Sequence, residues 1–402
     1  MYTTSPAPDE ASRVIERVVE KYDDELTELR RDLHANPELS WAETRTTDLA
    51  AQRLLELGYD VTRLPRTGLI ADLGAAGPLI ALRADLDALP VDDRTGDPWA
   101  SKVPGVAHAC GHDVHVASLV GSALALAELE HQGLLGARVR LLFQPAEEVM
   151  PGGALSLIEH GALEGVVQAF GLHCDPGLDV GRIGLRVGPL TGAADALDVR
   201  LTGSGGHTSR PHLTEDLTFA LGTLLTELPA VLSRRMDPRS GVSVVWGVVQ
   251  AGSAANVIPS SGRASGTVRM LDAMAWAGAE ELIREVVTQI VQPYGVVADV
   301  TYTRGVPPVV NEPGATRALG TAVERVVGVE GHVPTPQSLG GEDFGWYLHE
   351  VPGAMARLGT RTPGGPTYDL HQGNLRVDDR AVGIGARVLA EAAVEAARVV
   401  GP

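Results

Sequence analysis

The chain has 402 residues, 44% of them hydrophobic and 21% charged, an ordinary globular composition with more length than one core holds, so two domains are expected. Its net charge of −18 excludes nucleic acid and an anionic membrane surface as partners. No uninterrupted apolar run reaches the length of a membrane span.

Residues 1–10 are polar and proline-containing and read as a disordered lead, without the basic-then-apolar pattern of a secretory signal. With only two cysteines, Cys110 and Cys174, no oxidised framework is expected, and the cytoplasm is the expected compartment. Residues 11–35 carry Val14, Val18, Leu26, Leu29 and Leu33 at roughly helical spacing, and Asn36-Pro37 stops that helix. A second helix is predicted over 41–57, ended by Gly58. Short strands follow at 60–64, 68–73 and 79–83, and the third runs into the carboxylates Asp85 and Asp87. A loop over 91–107 leads to Ala107-His-Ala-Cys-Gly-His-Asp113, which opens a long apolar helix to residue 129. The strand at 138–143 closes on Gln144-Pro-Ala-Glu-Glu148. A helix over 154–160 and a strand over 166–172 follow, the strand ending in His173-Cys174. Strands alternating with helices predict an α/β fold with a mainly parallel sheet flanked by helices.

The rhythm changes near residues 181–191. A half-exposed strand at 195–201 precedes a glycine-rich turn, 203–211, that contains His207. Then come a helix over 213–232, strands at 242–249 and 262–270 around the loop 251–259, a helix over 274–292 and a strand at 296–302. This βαββαβ order reads as a smaller α+β sandwich, residues 187–303, inserted into a domain made of 1–186 and 304–402. Its two chain crossings, near 184–190 and 300–306, allow hinge closure, and its edge strands offer pairing across a two-fold axis. The first rhythm returns with a helix at 314–327, the segment 338–344, a short strand at 356–359, Leu370-His371 and a closing helix over 380–399.

In an open α/β sheet, ligands bind where strands end and loops begin. Asp85, Asp87, Cys110, His112, Glu147, Glu148, His173 and His371 all lie at such places. Together they supply thiolate, imidazole and carboxylate, the donor set of a transition-metal site. Gly111 between Cys110 and His112 lets both side chains turn to one ion. The donors come from separate sheet loops, which suits a catalytic site better than a compact structural one. Two adjacent carboxylates, Glu147 and Glu148, are costly to bury without a cation. One reads as a ligand and the other as a proton carrier, against the alternative of a solvated pair capping the next helix. Blander readings are favoured elsewhere. His115 packs, Cys174 is a buried thiol, and His34 and Glu38 are structural. Glu342-Asp343 orders a loop, while Trp246 and Trp276 pack.

The strings His108-Ala-Cys-Gly-His-Asp113, Gln144-Pro-Ala-Glu-Glu148, Leu172-His173 and Leu370-His371 resemble the metallo-amidohydrolase/aminoacylase/carboxypeptidase superfamily. The branch they resemble is that of hippurate hydrolase and indoleacetyl-amino-acid hydrolase. The likeness covers nearly the whole chain, including Arg83-Ala-Asp-Leu-Asp-Ala-Leu-Pro90, Gly206-His207, Asn256-Val-Ile-Pro259 and Gly266-Thr-Val-Arg269. It implies a catalytic domain (1–186 with 304–402) and a lid and dimerisation domain (187–303). Implied metal ligands are Cys110, His112, Glu148, His173 and His371, with Glu147 as general base. Asp87 matches a carboxylate that orients a ligand histidine. His207 matches a residue that reaches the partner subunit's site and holds the oxyanion. Asn256 and Arg269 match positions that hold a substrate carboxylate, with a surface ion pair as the alternative for Arg269. Two divalent ions are implied, zinc or manganese, with cobalt or nickel also compatible. The implied activity is hydrolysis of N-acyl amino acids or dipeptide-like conjugates by a homodimer. The alternative is a catalytically silent relative that binds amino-acid conjugates or a protein partner.

Overall fold

The structure is a computed structural model that describes residues 9–400. Most of the expected polar lead therefore lies outside the described residues. Asp9 already caps the first helix, accepting from the Ser12 amide at 3.0 Å. The predicted helix over 11–35 is two helices, Glu10–Lys21 and Asp23–Ala35, joined at Tyr22. Asp23, Asp24 and Glu25 put three acids in one turn, which favours a new helix N-terminus there.

The chain divides into two compact units. One comprises the residues up to 188, 310–336 and those from 343 on; the other comprises 189–309 with 337–342. The first unit holds an eight-stranded sheet. Its order is Asp60–Arg63, Leu69–Leu73, Arg138–Gln144, Leu79–Asp85, Val166–Asp179, Gly353–Arg361, Ile183–Leu185 and His332–Pro334. The central strands Arg138–Gln144, Leu79–Asp85, Val166–Asp179 and Gly353–Arg361 run parallel, and the first two strands form an antiparallel edge. Leu79–Asp85 is buried along its whole length, as a central parallel strand must be. The helix His112–His131 is buried on nearly all sides, which explains its continuous apolar sequence. Helix Arg380–Val400 packs on it, with Ala386 and Val382 in the shared core.

Several elements differ from expectation. The strand expected to end at His173 runs on to Asp179, because Gly353–Arg361 pairs beside it and His173 sits opposite Arg357. The short strands Ile183–Leu185 and His332–Pro334 and the helix Gly345–Glu350 are too brief to show a period in sequence.

The second unit is an antiparallel sheet in the order Ser243–Ala251, Ser261–Met270, Ala193–Thr202, Val297–Val306, with helices Leu217–Arg235 and Ala273–Val291 packed together on it. The last strand reaches Val306 rather than 302, and the Leu190 amide donates to the Val309 carbonyl at 2.8 Å. Those pairings carry this unit to residue 309, beyond the expected 303. Segment 337–342 joins it through the Ser338 amide, which donates to the Leu190 carbonyl at 2.9 Å. Inside this unit the buried Asp195 carboxylate accepts from the Trp276 indole at 2.8 Å, the Gly305 amide at 2.8 Å and the Tyr302 hydroxyl. Trp276 packs, as expected, and Trp246 donates to the Leu225 carbonyl at 3.2 Å.

Candidate active site

Six of the candidates come together in the larger unit: Glu147 and Glu148 just past strand Arg138–Gln144, His173 from within strand Val166–Asp179 rather than at its end, Cys110 and His112 at the start of helix His112–His131, and His371 from a turn. Cys110 Sγ lies 3.6 Å from His173 Nε2. His112 Nε2 lies 3.8 Å from Glu148 Oε1 and 4.0 Å from Glu147 Oε2, and His371 Nε2 lies 3.3 Å from Glu148 Oε2. Three overlapping groups, Cys110/His112/His173, Cys110/Glu148/His371 and His112/Glu147/Glu148, each keep their donor atoms within 4.8 Å of one another.

The backbone sets these positions. Gly111 caps the helix His112–His131 with φ +88°, a left-handed conformation suited to glycine, and a Cβ there would lie 2.8 Å from Cys174 Sγ. That turn places Cys110 just before the helix and His112 in its first turn. His371 also has a positive φ, 62°, and its amide donates to the Ala109 carbonyl at 2.7 Å. Two ligand-type residues from distant segments are thereby held by adjacent backbone.

The histidine tautomers are defined by their outer partners. His112 Nδ1–H donates to the Asp87 carbonyl at 2.9 Å, and His173 Nδ1–H to the Cys174 carbonyl at 2.8 Å. Each then points Nε2 inward, the geometry of a ligating imidazole. His112 Nε2 and Glu148 Oε1 are buried without a hydrogen-bond partner. His115 is occupied on both sides. Its Nδ1–H donates to Asp85 at 2.5 Å, and its Nε2 accepts from the Cys174 amide at 2.9 Å.

Asp87 is nearly wholly buried and differs in detail from the expected histidine-orienting carboxylate. Its carbonyl takes the His112 proton, while its carboxylate stands 3.5 Å from that nitrogen. The two carboxylate oxygens instead accept the Glu147 and Glu148 amides, each at 3.0 Å, and the Ser40 hydroxyl at 2.7 Å. Asp85 is bound by Arg83 at 2.6 Å.

The electrostatics of the cluster call for positive charge. Burial pushes the Cys110 thiol well above its usual value, so a thiolate there requires a cation beside it. Burial, with Arg357 and His115 nearby, drives His173 well below its usual range and keeps it neutral. Burial opposes a charged His112, but Asp85 and Cys110 outweigh it and raise the imidazole well above normal. Burial would raise Asp85 too, yet Arg83, His112 and His115 hold it well below the carboxylate range. Glu148 raises His371 against the effect of burial.

Residues 81–395 match the model of peptidase family M20/M25/M40. The chain belongs to that family. It is 38% identical over 373 residues to the N-acetylcysteine deacetylase of Bacillus subtilis, covering 92% of this chain and 96% of that one. It is 50% identical over 366 residues to a Rhodococcus jostii protein named putative glutamate–cysteine ligase 2-3, of which this chain spans 46%. The solved structure of the Bacillus subtilis YXEP protein, titled a dinuclear metal binding peptidase from the M20 family, superposes with a TM-score of 0.82. It shares 34% identity, over 95% of this chain and all of that one.

Three expected site residues of this M20-family chain lie in the smaller unit. His207 is exposed, and its Nδ1 accepts from the Ser209 amide at 3.1 Å, which leaves Nε2 as the protonated nitrogen. Its strand partner is Val257, and the Asn256 carbonyl accepts from the Thr208 amide at 3.2 Å. The Arg269 guanidinium donates to the Leu339 carbonyl.

The sequence reading missed a buried support behind the Glu147–Glu148 turn. Arg83 donates to Gln144 at 2.9 Å and to Asp343 at 2.8 Å. Gln144 also donates to Asp343, whose Oδ2 accepts the Ala154 amide at 3.0 Å. A lone arginine inside the apolar strand Leu79–Asp85 is the signal that could have drawn attention to it.

Proposed function

We propose that the chain hydrolyses the amide bond of N-acyl amino acids or dipeptide-like conjugates, releasing a carboxylic acid and an amino acid. Two divalent ions would be held by Cys110, His112, Glu148, His173 and His371. The observation that carries this reading is the pair of desolvated, unpartnered donor atoms, His112 Nε2 and Glu148 Oε1, converging with Cys110 Sγ and His173 Nε2. Buried polar atoms left unpaired are costly, and a cation at that centre removes the cost. Thiolate and imidazole favour zinc, while carboxylates also admit manganese, cobalt or nickel. The M20 structure titled as dinuclear supports the count of two.

When bound, such ions supply Lewis-acid polarisation and acidify water. Glu147 accepts the proton of the water whose oxygen attacks the amide carbon, then delivers it to the nitrogen as the C–N bond breaks. Asp87 holds the backbone from which Glu147 projects. His207 donates its Nε2–H to the developing oxyanion. Asn256 and Arg269 hold the substrate carboxylate. The relatives named N-acetylcysteine deacetylase and N-acyl-L-amino acid amidohydrolase support this substrate class.

The same reading includes a homodimer built on the smaller unit, with His207 acting in the partner's site. The outer strand Ser243–Ala251 supports it, since its exposed Val245 and Val249 mark an edge suited to pairing. An enforced monomer should then be nearly inactive. A cytoplasmic setting agrees with the free thiols of Cys110 and Cys174. Among the described residues no helix is long and apolar enough to cross a membrane.

The test is a metal analysis joined to a panel of N-acyl amino acids and dipeptides, assayed with and without chelator. Two bound ions and chelator-sensitive hydrolysis are expected. Bound metal with no hydrolysis of any panel member would instead favour a silent binding relative.

A further inference from the structure

The turn that presents Glu147 and Glu148 is bent at Ala146, whose φ of +54° is a left-handed conformation that residues with a Cβ avoid. Three consecutive amides restrain it. Ala146 N–H donates to Glu43 Oε1 at 2.7 Å, Glu147 N–H to Asp87 Oδ1 at 3.0 Å and Glu148 N–H to Asp87 Oδ2 at 3.0 Å. From the other side the Gly153 amide donates to the Ala146 carbonyl at 3.1 Å. Gly153 must be glycine, because a Cβ there would lie 1.9 Å from the Pro145 carbonyl oxygen.

Glu43 is wholly buried, and its second oxygen accepts from the Thr67 hydroxyl at 2.6 Å. It occupies the N-cap position of the helix Thr44–Glu56, where a carboxylate ordinarily receives the first amides of its own helix. Here those amides go elsewhere. Arg45 N–H and Thr46 N–H donate to the Glu38 carboxylate at 2.9 and 2.8 Å. Glu38 does the local capping, and Glu43 is left to reach an amide 103 positions along the chain. A buried carboxylate relieved of its local task and aimed at a left-handed residue one step before the proposed base is costly unless that bond matters.

We infer that Glu43 is a positioning residue for the proposed hydrolysis: through the Ala146 amide it fixes the backbone from which Glu147 and Glu148 project. The inference rests on the reading of Glu147 as general base. Its chemistry separates hydrogen bonding from charge. In Glu43→Gln the amide oxygen can still accept from Ala146 and the NH2 can donate to the Thr67 hydroxyl. Glu43→Ala removes both bonds.

The experiment compares wild type, Glu43→Gln and Glu43→Ala. Amide exchange of the 144–150 peptide is followed in metal-free protein, and kcat and KM are measured at matched metal content. In Glu43→Ala exchange should quicken and kcat fall on the order of a hundredfold, with KM changed less than about threefold. Glu43→Gln should match wild type in all three. If folded Glu43→Ala keeps wild-type kcat, the residue only packs and the inference is wrong. If Glu43→Gln is as impaired as Glu43→Ala, charge matters rather than the hydrogen bond, and it is again wrong. Should Glu43→Ala not fold, Glu43→Asp keeps the charge but withdraws it by one methylene. Quickened exchange and lowered kcat are then expected, and wild-type behaviour overturns the inference. The exchange arm needs neither metal nor substrate. A wild type that hydrolyses nothing therefore removes the functional reading, while exchange still reports whether Glu43 restrains the turn.

Discussion

Replacing Asp87 by Asn tests the backbone clamp beneath the proposed base while leaving side-chain volume almost unchanged. The Asp87 carboxylate accepts the Glu147 amide on one oxygen and the Glu148 amide on the other, each at 3.0 Å, with the Ser40 hydroxyl at 2.7 Å on the second. Asn offers one oxygen and one NH2. Whichever way it is turned, one of the two amides faces another donor. Losing a hydrogen bond to a charged group costs about 1.5–3 kcal/mol, and a stranded buried donor about 1–3 kcal/mol. Asp87 is 1% exposed, so water does not make up the loss. The turn can escape part of that cost only by moving, and any movement carries Glu147 with it. If about 2 kcal/mol of it is expressed in the transition state, kcat falls roughly 30-fold, at 1.36 kcal/mol per decade. The assay is kcat and KM at matched metal content, with melting followed in parallel. A variant within about threefold of wild type in kcat and unchanged in melting would refute the clamp, since an effect of this size cannot hide from both readouts.

Three further outcomes are expected. Glu147→Gln should keep its metal and lose on the order of a hundred- to ten-thousand-fold in turnover, the usual worth of a general base; an active variant sinks the assignment. Chelation should lower the melting temperature as well as abolish activity, because ions that bind only the folded state stabilise it, so an unchanged melting curve in metal-free protein would contradict the five-ligand centre. His34 lies between Asp113 at 2.8 Å and Asp93 at 3.2 Å, with Arg30 beside it. Burial works to lower its pKa, but Asp113 outweighs that and raises it above the ordinary value. A raised folded pKa means stabilisation fully present below the unfolded value of about 6.5 and lost as pH rises through the folded one. The melting deficit of His34→Gln in metal-free protein should therefore be larger at pH 6 than at pH 9, and equal deficits would refute the pairing.

Part of the candidate donor set was legible in the sequence because it is carried in pairs on short segments, whereas His173 and His371 each stand alone. Cys110-Gly-His112 and Glu147-Glu148 each place two donors within three residues, close enough for local geometry to limit where they point. The strand and helix rhythm was legible for the same reason, since hydrophobic periods are local. Glu43 was not legible, because a carboxylate at a helix start reads as a cap for that helix. Only the packed structure shows Glu38 taking that place and Glu43 bonding to Ala146.

By itself the sequence determined the fold class, the family likeness and the donor chemistry, all of which depend on residue type and short spacing. Tertiary structure alone decided which atoms face the centre. His112 and His173 turn Nε2 inward because backbone carbonyls from Asp87 and Cys174 take their other nitrogens. It also decided that Asp85 is engaged by Arg83 and His115, and that residues 337–342 join the smaller unit. The pairings of His112 with Asp87, of His115 with Asp85 and of Ser338 with Leu190 join segments far apart along the chain, and their energies exist only once it has closed on itself.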